Sequence, residues 1–238
     1  MPRQPAALPL VQDNGQPSGR PSKSTTAKRL TLRDQEIITA LIHQVRCFDV
    51  TLVSRQWWNE SIKGKRAAKR RLSALISDGW LKSICAFARP PIMLERPIVT
   101  WKPGNAFPDY GPISYYLKTR FRGPAKVTSI FVATKQSLRL FGGLGIRVPR
   151  SSEVTHDLGL ASVYLTKKSN GTLGDSKWVS ESKLVSGGTE KGVKVPDAIL
   201  VTQDEVITAI EFGGEYSKRK LIAFHSHCDS NQMGYELW

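Results

Sequence analysis

Two carboxylates, Asp197 and Glu211, stand fourteen residues apart in two apolar runs, VPDAILVT (195–202) and EVITAIEFG (205–213). Runs of this length and composition read as buried strands separated by Gln203-Asp204. A strand pair that brings two carboxylates together can hold a divalent cation through oxygen ligands, and that ion would activate water for attack on a phosphodiester. Asp197 and Glu211 are therefore the candidate metal ligands and catalytic acids, with Mg²⁺ or Mn²⁺ as the ion. A second chemistry lies upstream. Six of the nine residues 63–71, KGKRAAKRR, are basic: Lys63, Lys65, Arg66, Lys69, Arg70 and Arg71. At ~100° per residue, Arg66 and Arg70 point away from the apolar stripe of Ala68, Leu72 and Leu75, with Lys63 beside them and Lys69 on the flank. Such a helix buries one face and offers the other to phosphates and guanine edges. HSHC (225–228) has metal-ligating residue types, but His225 and Cys228 share a stripe with Leu221 and Phe224 and read as core. His156-Asp157 reads as an exposed helix start, since no nucleophile is placed beside it.

The elements that must position these groups follow from pattern. TLRDQEIITALIHQVRCF opens with Thr31 as a helix cap and carries Ile37, Ile38, Leu41, Ile42 and Val45 on one face. A short helix is expected over 50–58, where Trp57 and Trp58 read as core plus edge. A third helix over 63–80 stops at Gly79. WLKSICAFA and IMLERPIVTW read as two strands of a hairpin, and Pro97 restricts the second to an edge. Three helices followed by a hairpin is the order of a winged helix-turn-helix, with the basic run on the recognition helix. Residues 103–150 read as a basic linker with one short helix over 128–143. From 151 onward the expected order is helix (capped by Ser152), strand (KWVSESKLV), strand, strand, helix (215–231), strand.

Charge divides the chain. It has 238 residues and a formal net charge of +15. Residues 1–30 carry +4, 31–102 carry +7, 103–150 carry +7 and 151–238 carry −3. The basic part suits a polyanionic partner, duplex DNA foremost, and the acidic part a different task. The organisation expected is a Pro-rich disordered tail over 1–28, a winged helix over 29–102, the linker over 103–150 and a second domain over 151–238. Hydrophobic residues make up 40%, enough for packed cores. No apolar run approaches the ~18 residues of a membrane span, and no signal peptide is evident, so neither a membrane partner nor secretion is expected. Three cysteines, Cys47, Cys85 and Cys228, form no CxxC pair and point to a reduced, cytoplasmic setting.

The expected αβββαβ order from 151 is the core order of the PD-(D/E)XK nuclease-like fold. The fold class expected is therefore α+β, a winged helix-turn-helix followed by an α/β nuclease-like domain. In that fold a lysine stands two residues after the Glu, but this chain reads Glu211-Phe212-Gly213. Lys218 or Lys220, on the following helix, is the candidate to reach back. Glu153 and Asp157 lie on the preceding helix, where some such nucleases place an extra ligand. The stretches TLRDQEIITAL, RRLSALISDGWL, HDLGLASVYL, VPDAILV and AIEFGGEY together resemble the replication-relaxation family of bacterial plasmids and mobile elements, over about residues 30–238. That resemblance marks His156, Asp157, Asp197 and Glu211 as the positions to carry over. It implies a role in plasmid replication, relaxation or mobilisation, with other replication or mobilisation proteins as partners. Three functions stay open: a DNA-binding protein with a non-catalytic nuclease-like domain, a Mg²⁺-dependent endonuclease or nickase using Asp197 and Glu211, and a winged-helix transcriptional repressor.

Overall fold

The computed structural model describes residues 30–121, 123–188 and 195–238. The expected tail over 1–28 lies outside them. The first half builds a helical layer on a small sheet. α1 (Leu32–His43) starts with a reciprocal capping box: Thr31 and Asp34 each bind the other's backbone N–H. Ile37, Ile38 and Leu41 bury on its inner face. β1 (Phe48–Asp49) leads into α2 (Val50–Trp57), whose N-terminus is closed by the Asp49 carboxylate accepting from the Leu52 amide at 2.8 Å. α3 (Ile62–Ser77) is capped by Ser61, and its Ala68, Leu72 and Leu75 are buried as the stripe predicts. Gly79, at φ +81°, ends it in a backbone region that glycine occupies without strain.

The chain then departs from the expected hairpin. β2 (Leu81–Ala88) does not pair with β3 (Val99–Trp101). It pairs along its whole length with β4 (Lys126–Ala133), from Leu81 opposite Ala133 to Ala88 opposite Lys126. Pairing is non-local because residues 89–125 loop out, and they carry β3 and α4 (Tyr110–Thr119) to the other sheet. The segment 103–150 is thus no linker. Its residues 128–133 are strand rather than helix, since Ile130, Phe131, Val132 and Ala133 are all buried. Only α5 (Lys135–Phe141) is helical in the expected 128–143 range, and it ends at Gly142.

The second half is α6 (Val154–Ser169), β5 (Lys177–Ser180), α7 (Glu181–Ser186), β6 (Ala198–Val201), β7 (Ile207–Glu211), α8 (Lys218–Ser230) and β8 (Gly234–Leu237). The strand expected over KWVSESKLV stops at Ser180 and the chain turns into α7. Ser152 does not cap α6. Glu153 holds the N-cap position, without a side-chain capping bond. Two sheets result, β1-β4-β2 and β3-β8-β7-β6-β5. All pairs are antiparallel except β7–β8, which α8 connects as the crossover a parallel pair requires. β3 lies at the edge, as Pro97 predicts, but of the second sheet.

One apolar cluster runs through both halves, from Ile37, Phe48 and Leu72 to Leu158, Trp178, Ile210 and Phe212. α6 contacts α2, β1 and β2 and closes tightly on the second sheet. A Cβ on Gly159 would stand 2.1 Å from Cζ of Phe212, so only glycine permits this approach. The fold is mixed α+β. Among the described residues, no helix is long and apolar enough to cross a membrane.

Candidate functional site

The antiparallel register of β6 and β7 sets Ala198 opposite Ile210. It brings Asp197, just before β6, to the end of β7 where Glu211 lies. The two carboxylates then take separate partners. Oδ2 of Asp197 accepts the Phe212 amide at 2.8 Å and lies 3.1 Å from Nε2 of His156. Glu211 is buried, and its Oε1 accepts the Tyr216 hydroxyl at 2.7 Å. Burial and the Glu211 carboxylate push the Tyr216 phenol far up, so it stays a proton donor.

His156 is not the exposed helix start that the sequence suggests. The close packing of α6 on Phe212 carries it over β7, with its ring 5.6 Å from the Phe212 ring. Its Nδ1 lies 3.5 Å from Asp157. Burial opposes the charge on this imidazole, but the Asp197 and Asp157 carboxylates outweigh it and raise its pKa to about 10. Asp157 is buried and also accepts from Arg46 at 3.2 Å, and Arg46 pairs with Glu181 at the start of α7. Arg147 bridges Glu181 and Glu153, at 3.7 and 2.8 Å. The result is an alternating chain of charges, Glu181–Arg46–Asp157–His156–Asp197, joining the α1–β1 connection to the second sheet. Backbone bonds fix the same seam: Trp178 Nε1 donates to the Gln44 carbonyl and Ser180 Oγ to that of His43.

This arrangement does not suit a divalent cation. The facing oxygen of Asp197 is already shared by an amide and an imidazolium, and Oε1 of Glu211 accepts the Tyr216 hydroxyl. Among the described residues, no three His, Cys, Asp or Glu side chains converge to hold a metal. The space lined by Arg46, Arg147, His156, Glu181 and Asp197 is about 50 Å³, room for a few waters. Lys218 is exposed at the first position of α8 and makes no ion pair with a described residue. Lys220 reaches closer, with Nζ 3.4 Å from the Tyr216 ring centroid. The place of the missing lysine is closed. A Cβ on Gly213 would lie 2.8 and 2.9 Å from the two Cδ atoms of Leu117 on α4. Arg120, one turn on, donates to the Gly213 carbonyl and packs 4.4 Å from the Phe212 ring.

The basic helix stands apart from this cluster. Lys63, Lys65, Arg66, Lys69 and Arg70 are exposed on α3 and make no ion pair with a described residue. Arg71 is the exception. It turns back to grip Asp34, with Nε to Oδ1 at 2.8 Å and a second bond to Oδ2. That makes it a fastener between α3 and α1 rather than a member of the exposed face. Trp57 is buried and donates to Glu36, while half-buried Trp58 carries Arg33 at 4.3 Å from its ring. His225 and Cys228 are core residues of α8.

Arg46, Glu181, Tyr216 and Arg120 carry no signal in the sequence. Each becomes visible only once the loops and α4 are placed. No protein-family model matches the chain, and no curated protein or solved structure matches it.

Proposed function

We propose that this protein binds duplex DNA through α3, in a winged-helix arrangement of α1–α3 with the β2–β4 ribbon as wing, and that its second unit is a nuclease-like fold that does not cleave. The observation that carries this reading is the face of α3: five exposed cations, none of them in an ion pair with a described acid. A solvated structural helix usually intersperses both signs, whereas an unpaired stripe of one sign suits a phosphate backbone. Support for the second half comes from the order α6-β5-α7-β6-β7-α8-β8, close to the αβββαβ order, with Asp197 just before β6 and Glu211 at the end of the neighbouring β7. Its carboxylates are held by His156, the Phe212 amide and Tyr216, which favours a structural over a metal-dependent role. With the sequence resemblance, the setting we propose is replication, relaxation or mobilisation of a plasmid or mobile element, in the bacterial cytoplasm.

The test is binding of a labelled duplex by the full chain over a series of salt concentrations. Arg66→Ala with Arg70→Ala should weaken binding and flatten the log–log salt dependence by ~0.9 for each phosphate no longer neutralised. An unchanged slope removes α3 from the interface.

A further inference from the structure

A second, larger space adjoins the small one between His156 and Glu181. It measures about 330 Å³ and is bounded by the end of α1, the loop that follows α5, and α7. Ile42, Leu144, Ile146 and Val185 supply its apolar lining, and Ile42, Ile146 and Glu181 line both spaces. Ligand clefts in proteins span ~300–1,000 Å³, with mostly apolar walls and a few placed polar groups. This volume lies at the small end of that range and suits a small organic molecule.

The walls are pinned before any ligand arrives. His43 Nε2 lies 3.1 Å from the Phe141 carbonyl, which ties the start of the loop to α1. A Cβ on Gly143, at φ +129°, would stand 2.6 Å from Cγ2 of Ile42, so the loop rests directly on α1. On the other side, Ser180 Oγ donates to the His43 carbonyl just before α7 begins. Leu144 is 68% exposed and Val185 55% exposed. Exposed apolar side chains scattered singly are ordinary. Here two of them line one concavity together with half-buried Ile42 and Ile146.

The polar groups select the sign of the ligand. Among the described residues, Glu181 is the one carboxylate lining this space, and it already pairs with Arg46 and, at 3.7 Å, with Arg147. Lys183 lines the same cleft, half-buried, and makes no ion pair with a described residue. Burial and the nearby charge of Lys177 hold its pKa below the ordinary lysine value. A carboxylate on that ammonium supplies the missing counter-charge. A bare inorganic anion would gain nothing from the apolar walls.

We propose that this cleft binds a small amphipathic organic acid, with its apolar body against Leu144 and Val185 and its carboxylate on the Lys183 ammonium. The proposal goes beyond the DNA-binding reading and stands or falls independently of it.

The experiment titrates the full chain with octanoate and with phenylpropanoate, by calorimetry and by thermal melting. Octanol, acetate and inorganic phosphate are the controls. Both acids should bind saturably and raise the melting temperature. Octanol should bind at least about tenfold more weakly than octanoate, and acetate and phosphate should give no saturable heat. Lys183→Met keeps the aliphatic stem and should weaken both acids by about tenfold. Leu144→Glu sets a negative charge in the apolar wall at an exposed position and should abolish binding. The melting transition without ligand checks that both variants are folded. If neither acid binds, the proposal is wrong. It is equally overturned if octanol or phosphate matches octanoate, since the site would then read only the apolar body or only the charge. Wild-type affinity in Leu144→Glu or Lys183→Met would place any binding outside this cleft.

Discussion

Nε2 of His156 lies 3.1 Å from Oδ2 of Asp197, the same oxygen that accepts the Phe212 amide. A protein cation therefore stands where the carboxylate pair would otherwise face an ion. Burial works against the charge on His156, yet Asp197 and Asp157 raise its pKa from 6.5 to about 10, so the folded state favours the protonated ring. The stability this contributes is present in full below pH ~6.5 and is lost as pH rises through about 10. Denaturant midpoints measured from pH 6 to 10 should decline, and His156→Gln should flatten that decline. Parallel profiles for the two proteins would show that the imidazole is not held charged.

Supercoiled plasmid incubated with the protein and Mg²⁺ or Mn²⁺ should stay supercoiled, and Asp197→Ala with Glu211→Ala should behave identically. Nicked or linear product from wild type alone would restore the endonuclease reading and require His156 to leave Asp197.

Arg71 tests the division of labour along α3. Asp34 is fully buried and accepts from Arg71, Thr31 Oγ1 and the Thr31 amide. Burial would raise its pKa, but the bonds from Arg71 and Thr31 outweigh it and hold it below the usual carboxylate value. The associated stability is present above pH ~3.8 and is lost as pH falls through the lower folded value. Arg71→Ala leaves a buried carboxylate short of partners and should cost about 2–3 kcal/mol in equilibrium unfolding. The folded variant should keep the wild-type salt slope for DNA. A reduced slope with unaltered stability would return Arg71 to the binding face.

Gly213→Lys restores the lysine spacing of the nuclease motif. It should not restore activity, because the added Cβ meets Leu117 and Leu237. Overpacking of this sort costs typically 1–3 kcal/mol, and a lowered melting temperature checks it. Gly159→Ala, driven into the Phe212 ring, should be worse. A Gly213→Lys variant as stable as wild type would mean that α4 yields easily.

Local signals are legible where a helix is specified by its own residues. The Thr31–Asp34 box, the Ala68–Leu72–Leu75 stripe and Gly79 all act within a few positions of themselves. The apolar strands at β6 and β7 and the approach of Asp197 to Glu211 are equally readable, because two short apolar runs separated by Gln203-Asp204 mark an antiparallel pair whose open ends meet. Strand partnership is not. IMLERPIVTW looks like the return strand for WLKSICAFA by proximity, yet Trp101 packs with Tyr235 and Phe224 far along the chain. Nothing in a local pattern names a distant partner. The same holds for His156, whose environment depends on Gly159 meeting Phe212, and for Arg46, whose loop carries no periodic signal.

The outlooped segment 89–125 has a consequence for how the protein can be handled and made. Because β3 is threaded into one sheet while the strands on either side of it, β2 and β4, form the other, no single cut yields two complete sheets. A fragment ending at 102 lacks β4 and leaves β2 without a neighbour. A fragment starting at 103 lacks β3 and bares the β8 edge. Each half completes the other during folding, and a nascent chain cannot finish its ribbon until β4 has been synthesised. A protease nick within 89–125 would therefore leave two pieces that remain associated until denatured.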